Sequence, residues 1–113
     1  MSALDRAAAE TVGLLAQWGV AATADPTAVV VPGALIAPDT IAATLGGALA
    51  VTWDVYLVAP DNAAALGALG DMLDRVLAHT NPGTIDAASL ALVNTAPDPL
   101  PALHLTLETE TTP

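Results

Sequence analysis

The chain has 113 residues, a length that predicts one domain spanning residues 1–113. The chain has twelve carboxylates and only two basic residues, Arg6 and Arg75, so the formal net charge is −10. Two arginines cannot supply the several cation–phosphate contacts by which proteins hold DNA or RNA, and the same balance disfavours anionic membrane surfaces. The chain has no cysteine, which excludes disulfides, thiolate nucleophiles and cysteine-based metal sites.

The charge-free stretches predict that the chain does not enter a membrane. The longest two, Thr11–Ala24 and Thr40–Trp53, have 14 residues each, whereas a spanning helix needs about 20. Charged residues at positions 5, 6 and 10 interrupt the apolar run that a signal peptide needs. The sequence therefore predicts a soluble protein of a cytoplasm-like compartment.

The first predicted element is an amphipathic helix over residues 3–19, with Ser2 as its N-cap and Gly19 at its end. Its apolar side chains recur at spacings of three and four, at Leu4, Ala8, Val12, Leu15 and Trp18. The β-branched run Thr27–Val31 then predicts a short strand. The Pro- and Gly-punctuated segment from Pro32 to Gly47 predicts an extended loop with at most one irregular strand.

The clearest predicted strand is Ala48–Val58, where larger side chains alternate with smaller ones and place Trp53 on the larger, inward face. Pro60 ends this strand, and Asp61 or Asn62 is expected to cap a second helix that runs to about His79. The apolar stripe of this helix is predicted to be Leu66, Leu69, Leu73, Val76 and Leu77.

Two further strands are predicted after this helix. Ser89–Thr95 and Ala102–Glu110 read as strands joined by the stiff connection Ala96–Pro101, with a polar tail at Thr111–Pro113. The predicted fold is α+β, with both helices on one face of a mainly antiparallel sheet of about four strands, in the order α-β-β-α-β-β. Its predicted core anchors are Trp18, Trp53, Leu66, Leu69 and Leu73.

Residue patterns for catalysis are weak throughout the chain. Neither Ser2 nor Ser89 has a nucleophile motif around it, and His79 and His104 have no metal-ligand spacing. The glycine pair at 46–47 lacks the lysine of a phosphate loop. We therefore expect a protein that is not an enzyme, with no catalytic residue, no cofactor and no metal.

Four local patterns together resemble one family. They are the helix end Leu14–Gly19, the segment Ala28–Pro32 before a Pro-containing loop, the strand Thr52–Pro60 before an Ala- and Leu-rich helix, and the closing Leu100–Thr109. These patterns resemble the tail terminator (tail completion) proteins of phages with long, non-contractile tails, especially those of actinobacterial hosts.

The resemblance implies a structural role in the virion. Such a protein forms a ring, usually hexameric, on a finished tail tube, ends its polymerisation and presents a docking surface for the head and neck. The implied partners are further copies of the chain, the major tail protein, the neck or head-completion protein and the tape-measure protein, with DNA only passing through. A neck or head-completion protein, another minor virion protein, and a small-ligand-binding α+β domain remain as alternatives.

The acidity suggests a hypothesis for such a ring. Carboxylates near the bore would repel the phosphates of passing DNA over about 8 Å in physiological salt. The candidates are the carboxylates beside strand ends and loops, namely Asp39, Asp54, Glu108 and Glu110.

Overall fold

The computed structural model describes residues 2–92 and 99–111. Its elements in chain order are α1 (Ala3–Gln17), β1 (Ala22–Thr23), β2 (Gly33–Ala43), β3 (Leu49–Val58), α2 (Ala65–Leu77), β4 (Asp86–Leu90) and β5 (Leu100–Thr111). The strands form one sheet in the spatial order β1-β2-β3-β5-β4. β1 runs parallel to β2, and the other neighbouring strands are antiparallel. The fold of the described residues is therefore α+β with two helices, as predicted, and its sheet is mainly antiparallel. The sheet differs from the prediction in detail: it is mixed and has five strands rather than about four, in the order α-β-β-β-α-β-β.

Helix α1 has a capped beginning and a glycine-dependent end. The Asp5 N–H donates to Ser2 Oγ at 3.0 Å, and the Ser2 N–H donates back to the Asp5 carboxylate at 3.2 Å, which is a reciprocal capping box. At the other end, Gly19 adopts a φ of 86°, and the Val20 N–H returns to the Leu15 carbonyl at 2.9 Å. The predicted helix is confirmed and ends two residues earlier than expected.

Both helices cover the same face of the sheet. The alternation predicted for β3 and β5 is confirmed: Val51, Trp53, Val55 and Leu57 are buried, as are Leu105 and Leu107 of β5. These side chains share one apolar cluster with residues of α1 and α2. A smaller cluster, formed around Val58, Ala102 and Leu92, lies apart from it.

Trp53 lies at the centre of the main cluster, with its indole 1% exposed. Its Nε1–H donates to Thr109 Oγ1 on β5 at 2.8 Å. Thr11 of α1 donates its hydroxyl to the Ala7 carbonyl at 2.8 Å and lies 3.5 Å from the Thr109 hydroxyl. α1, β3 and β5 therefore meet at a polar contact within a mainly apolar layer. The contact gives the indole N–H an acceptor, and a buried N–H without an acceptor would destabilise the fold.

The predicted strand at Thr27–Val31 is wrong. Asp25 Oδ1 accepts from the Thr27 N–H at 2.9 Å and from the Thr27 hydroxyl at 2.7 Å, which makes a local turn. These bonds, the hydroxyl one first, lower the pKa of Asp25. Val30 is 70% exposed, so the β-branched run follows a turn and does not pair in the sheet.

The segment from Pro32 to Gly47 contains the single irregular strand that the prediction allowed, but this strand, β2, occupies most of what was predicted to be an extended loop. Gly33 begins the strand where a Cβ would overlap the Val30 carbonyl oxygen, so this close approach requires glycine. Pro38 is tolerated because that part of β2 is an edge, and the register with β3 shifts between Pro38 and Thr40. Only the glycines at 46 and 47 form the expected turn, with φ near 88° and 85°.

The apolar stripe predicted for α2 is confirmed at Leu69, Leu73 and Val76 and is wrong at Leu66 and Leu77, which are exposed. Leu69, Met72 and Val76 are buried and Leu73 contacts the core, but Leu66 is 82% exposed. The core position assigned to Leu66 is therefore wrong, because the helix begins at Ala65 and its inward stripe runs through Ala65 and Ala68. Asn62 does not cap the helix itself; its Oδ1 accepts from the Ala64 N–H at 2.8 Å, in the turn just before it.

The last two strands pair as predicted, with shifted bounds. β4 lies earlier than the predicted Ser89–Thr95, and β5 extends from Leu100 to Thr111, so Pro101 belongs to a strand rather than to a connection. The two strands pair antiparallel, with Ala88 opposite Ala102. Residues 93–98 and 112–113, which include parts of the predicted strand, connection and tail, lie outside the described residues.

The burial of Trp53 gives a stability prediction. Trp53→Ala removes the largest buried side chain and should lower the free energy of unfolding by about 3–5 kcal/mol, as aromatic truncations in cores do. Leu66→Ala is the matched control, because its side chain is exposed and its loss should cost no more than about 0.5 kcal/mol. Urea unfolding followed by circular dichroism measures both, and equal midpoints would contradict this account of the core.

Candidate functional site

The face of the sheet opposite the helices carries the polar side chains of β3 and β5, and we call it the outer face. It is made by positions 50, 52, 54 and 56 of β3 and by positions 104, 106, 108 and 110 of β5. These residues alternate with the buried ones along each strand. Tyr56 lies opposite His104, Asp54 opposite Thr106, and Thr52 opposite Glu108.

Four carboxylates lie on this outer face, which continues past Tyr56 into the small apolar cluster around Val58 and Ala102. Asp54, Glu108 and Glu110 lie there by strand alternation, and Asp86 joins them because it lies opposite His104 on β4. The chain's two arginines, Arg6 and Arg75, belong to α1 and α2, which cover the other face. The outer face therefore carries carboxylates without an arginine, whereas each helix carries one arginine together with two carboxylates.

Three of the four carboxylates predicted from the sequence lie on the outer face, and the fourth lies elsewhere. Asp54, Glu108 and Glu110 share the outer face, with Glu108 and Glu110 exposed. Asp39 lies instead at the β2 register shift, where its exposed carboxylate is 3.5 Å from the Thr40 hydroxyl. Sequence reasoning missed Asp86, because its place beside His104 depends on the pairing of β4 with β5.

His104 lies between carboxylates of both neighbouring strands. Its Nε2 is 2.7 Å from Asp54 Oδ1, so Nε2 carries a proton and donates to that acceptor. Its Nδ1 is 3.9 Å from Asp86 Oδ2, and the Tyr56 ring lies 5.0 Å away, tilted by 39°. The imidazole therefore joins β5 to β3 by a hydrogen bond on the outer face and lies close to Asp86 of β4.

The chemistry that this cluster can perform is limited by what surrounds it. A histidine held by a carboxylate can act as a base when a nucleophile lies within reach, and the contacts found for His104 are two carboxylates and a tyrosine ring. Within residues 2–92 and 99–111, no group of three or more His, Asp or Glu side chains is placed to hold a metal ion. In those same ranges, no helix is long and apolar enough to cross a membrane.

The C-terminal ends of α1 and α2 contact each other on the side of the sheet that the helices cover. The Trp18 and His79 rings stack with centroids 5.2 Å apart and planes 3° apart. Arg75 Nη1 donates to the Gly19 carbonyl at 2.9 Å. The predicted core anchor Trp18 is half-buried and contacts the main cluster. Arg75 and His79 of α2 therefore hold the C-terminal end of α1 in place.

The described surface has shallow depressions. One of about 260 Å³ lies beside Gly19, Arg75 and Met72. A more polar groove of about 430 Å³ lies between the 80–83 segment and the β5 residues Thr106, Leu107 and Glu108. Both depressions are open to solvent. They therefore differ from typical small-molecule sites, which bury most of the ligand surface.

Comparison with known proteins gives no relative for this chain. No protein-family model matches it, and neither a curated protein nor a solved structure is similar enough to count as a match. The geometry of the outer face and of the sheet edges therefore carries the functional argument.

The contact between Asp54 and His104 gives a second prediction. Asp54→Ala removes the acceptor of a half-buried N–H and should lower the free energy of unfolding by about 1 kcal/mol. Asp86→Ala should cost less than about 0.5 kcal/mol, because Asp86 is 66% exposed and 3.9 Å away. Asp54→Asn keeps a carbonyl acceptor and should recover part of the loss in urea unfolding. A larger effect at Asp86 than at Asp54 would contradict the geometry.

Proposed function

We propose that the protein is a structural, non-catalytic virion protein that caps the head-proximal end of a long, non-contractile phage tail tube as a ring. The observation that supports this most is the grouping of Asp54, Asp86, Glu108 and Glu110 on one sheet face, while both arginines of the chain lie on the helices over the other face. A ring through which a genome passes needs a lining that does not hold phosphates, and this face has that chemistry.

The repulsion between such a ring and DNA would depend on distance and on copy number. Six copies at −10 each would carry about −60 before counterions. Only carboxylates within roughly a Debye length of the DNA, about 8 Å in physiological salt, would repel its backbone appreciably. The outer face would therefore line the bore, and exposed carboxylates elsewhere, such as Asp71 and Asp74 of α2, would serve solubility.

In this proposal the ring works by contact with proteins on both sides. One rim meets the major tail protein and ends polymerisation, and the other rim meets the neck or head-completion protein, with the tape-measure protein as a further contact inside the tube. The protein would be assembled in the host cytoplasm and reside in the virion tail.

Capture by tail tubes tests the capping role. The protein mixed with purified tail tubes should bind at tube ends in a fixed ratio of about six copies per end, measured by mass photometry and negative-stain microscopy. Adding it during tube polymerisation should shorten the tubes as its concentration rises. Binding to head portals in place of tubes would support the neck alternative, and binding to neither would overturn the proposal.

Genome ejection tests the role of the acidic face. Glu108→Lys combined with Glu110→Lys should slow or stall DNA release from assembled particles, because the lysines would bind passing phosphates. Asp71→Lys combined with Asp74→Lys makes the same change in net charge on the exposed side of α2 and should leave release unchanged.

The readout is dye-detected DNA release from particles of normal tail length and head attachment. Equal release rates for both double variants and the unaltered protein would show that the acidic face does not line the path of the genome.

A further inference from the structure

Two strand edges of the sheet are unpaired at the same end of the molecule. β1 pairs with β2 only at Ala34 and Leu35, so β2 has no described strand beside it from Ile36 to Ala43. β4 pairs with β5 only over residues 100–104, which leaves the edge from Leu105 to Thr111 unpaired among the described residues. Both segments pair with β3 on their other side, and Ala43, Leu49 and Thr111 end in register.

Unpaired edges expose backbone donors and acceptors that another chain can pair with. On β2, Pro38 and the register shift beside it interrupt the edge, which restricts regular pairing to Thr40–Ala43. The β5 edge has no proline or register shift from Leu105 to Thr111. The groove of about 430 Å³ lies beside part of this edge, between Glu108 and the 80–83 segment.

Charge distinguishes the possible pairings of these edges. Glu108 and Glu110 lie on the β5 edge, so two copies that paired β5 with β5 would bring like charges close together. The β2 segment Thr40–Ala43 is uncharged. Pairing the β2 edge of one copy with the β5 edge of the next avoids that repulsion.

Strand direction favours the same pairing. β2 and β5 are both antiparallel to β3, so they point the same way within one copy. Rotation about an axis along the strands places the β2 edge of one copy beside the β5 edge of the next, in parallel. A two-fold dimer would use one edge twice and leave the other unpaired, whereas head-to-tail addition uses both edges and can close into a ring.

We propose that a second copy of this chain docks on the β5 edge through its own β2 edge, so that the sheet continues from copy to copy. This inference rests on the proposed ring and identifies the contact that closes it. Exposed apolar side chains occur at the same end: Ile41 is 45% exposed on β2, and Leu45 is fully exposed at the following turn. The docked neighbour would cover part of this apolar surface.

The absence of cysteine makes cross-linking a clean test. Within one copy, Ala42 and Glu110 both lie opposite Ala50, on either side of β3. Their separation is therefore two strand spacings, about 9.5 Å, beyond the roughly 6.8 Å between Cα atoms that a disulfide spans. A disulfide in the double variant Ala42→Cys, Glu110→Cys must then join two copies. Ala42→Cys with Glu108→Cys tests the neighbouring register.

The full chain is oxidised with and without tail tubes and separated by non-reducing electrophoresis. We expect one of the two double variants to give a ladder of covalent oligomers that ends at the ring size, and Ala42→Cys alone to remain monomeric. Ala42→Cys with Ala50→Cys, which are directly opposite within a copy, is the control for oxidation and should close internally without a change in mass.

Two results would overturn the inference. Dimers from Ala42→Cys alone would show two-fold pairing of β2 edges, and the absence of oligomers from both double variants on captured tubes would show that the ring closes elsewhere. Covalent oligomers of a protein that does not bind tail tubes would support the edge contact and contradict the proposed function. Failure of the inference and failure of the proposed function are therefore distinguishable.

Discussion

The hydrogen bond from the Trp53 indole to Thr109 is the contact on which the arrangement of the sheet depends. It joins the centre of β3 to β5 beneath α1, and Thr11 brings the helix to the same point. Because side chains alternate along a strand, a slip of one residue would bury Asp54 and Glu108 and expose Trp53. The register that buries the apolar side chains of one face therefore also places Asp54 and Glu108 on the other face.

The alternation also explains which features could be predicted. β3, β5 and α1 follow from periodic apolar patterns, and the outward placement of Asp54, Glu108 and Glu110 follows from the same period. β2 could not be recognised, because Pro38 and the flanking glycines are typical of loops and are tolerated here by an edge and a register shift. Neither the place of Asp86 beside His104 nor the exposure of Leu66 could be predicted, since both depend on how separate elements align.

The proposed assembly links these features of one copy. The helices cover one face and hold both arginines, while on the outer face Asp54 and Asp86 lie beside His104 and Glu108 and Glu110 lie further along β5. The edges of β2 and β5 lie on opposite sides of β3, so they suit the joining of neighbours in a head-to-tail ring. In such a ring the outer face would turn toward the axis, and the helices would form the outside.

Electron cryomicroscopy of tail tubes incubated with the protein tests this account most directly. The account predicts one added ring at a single end of each tube, with a continuous sheet between copies, the carboxylates Asp54, Glu108 and Glu110 facing the bore, and α1 and α2 on the outer wall. A ring with the helices lining the bore, or protein bound along the tube wall, would contradict it.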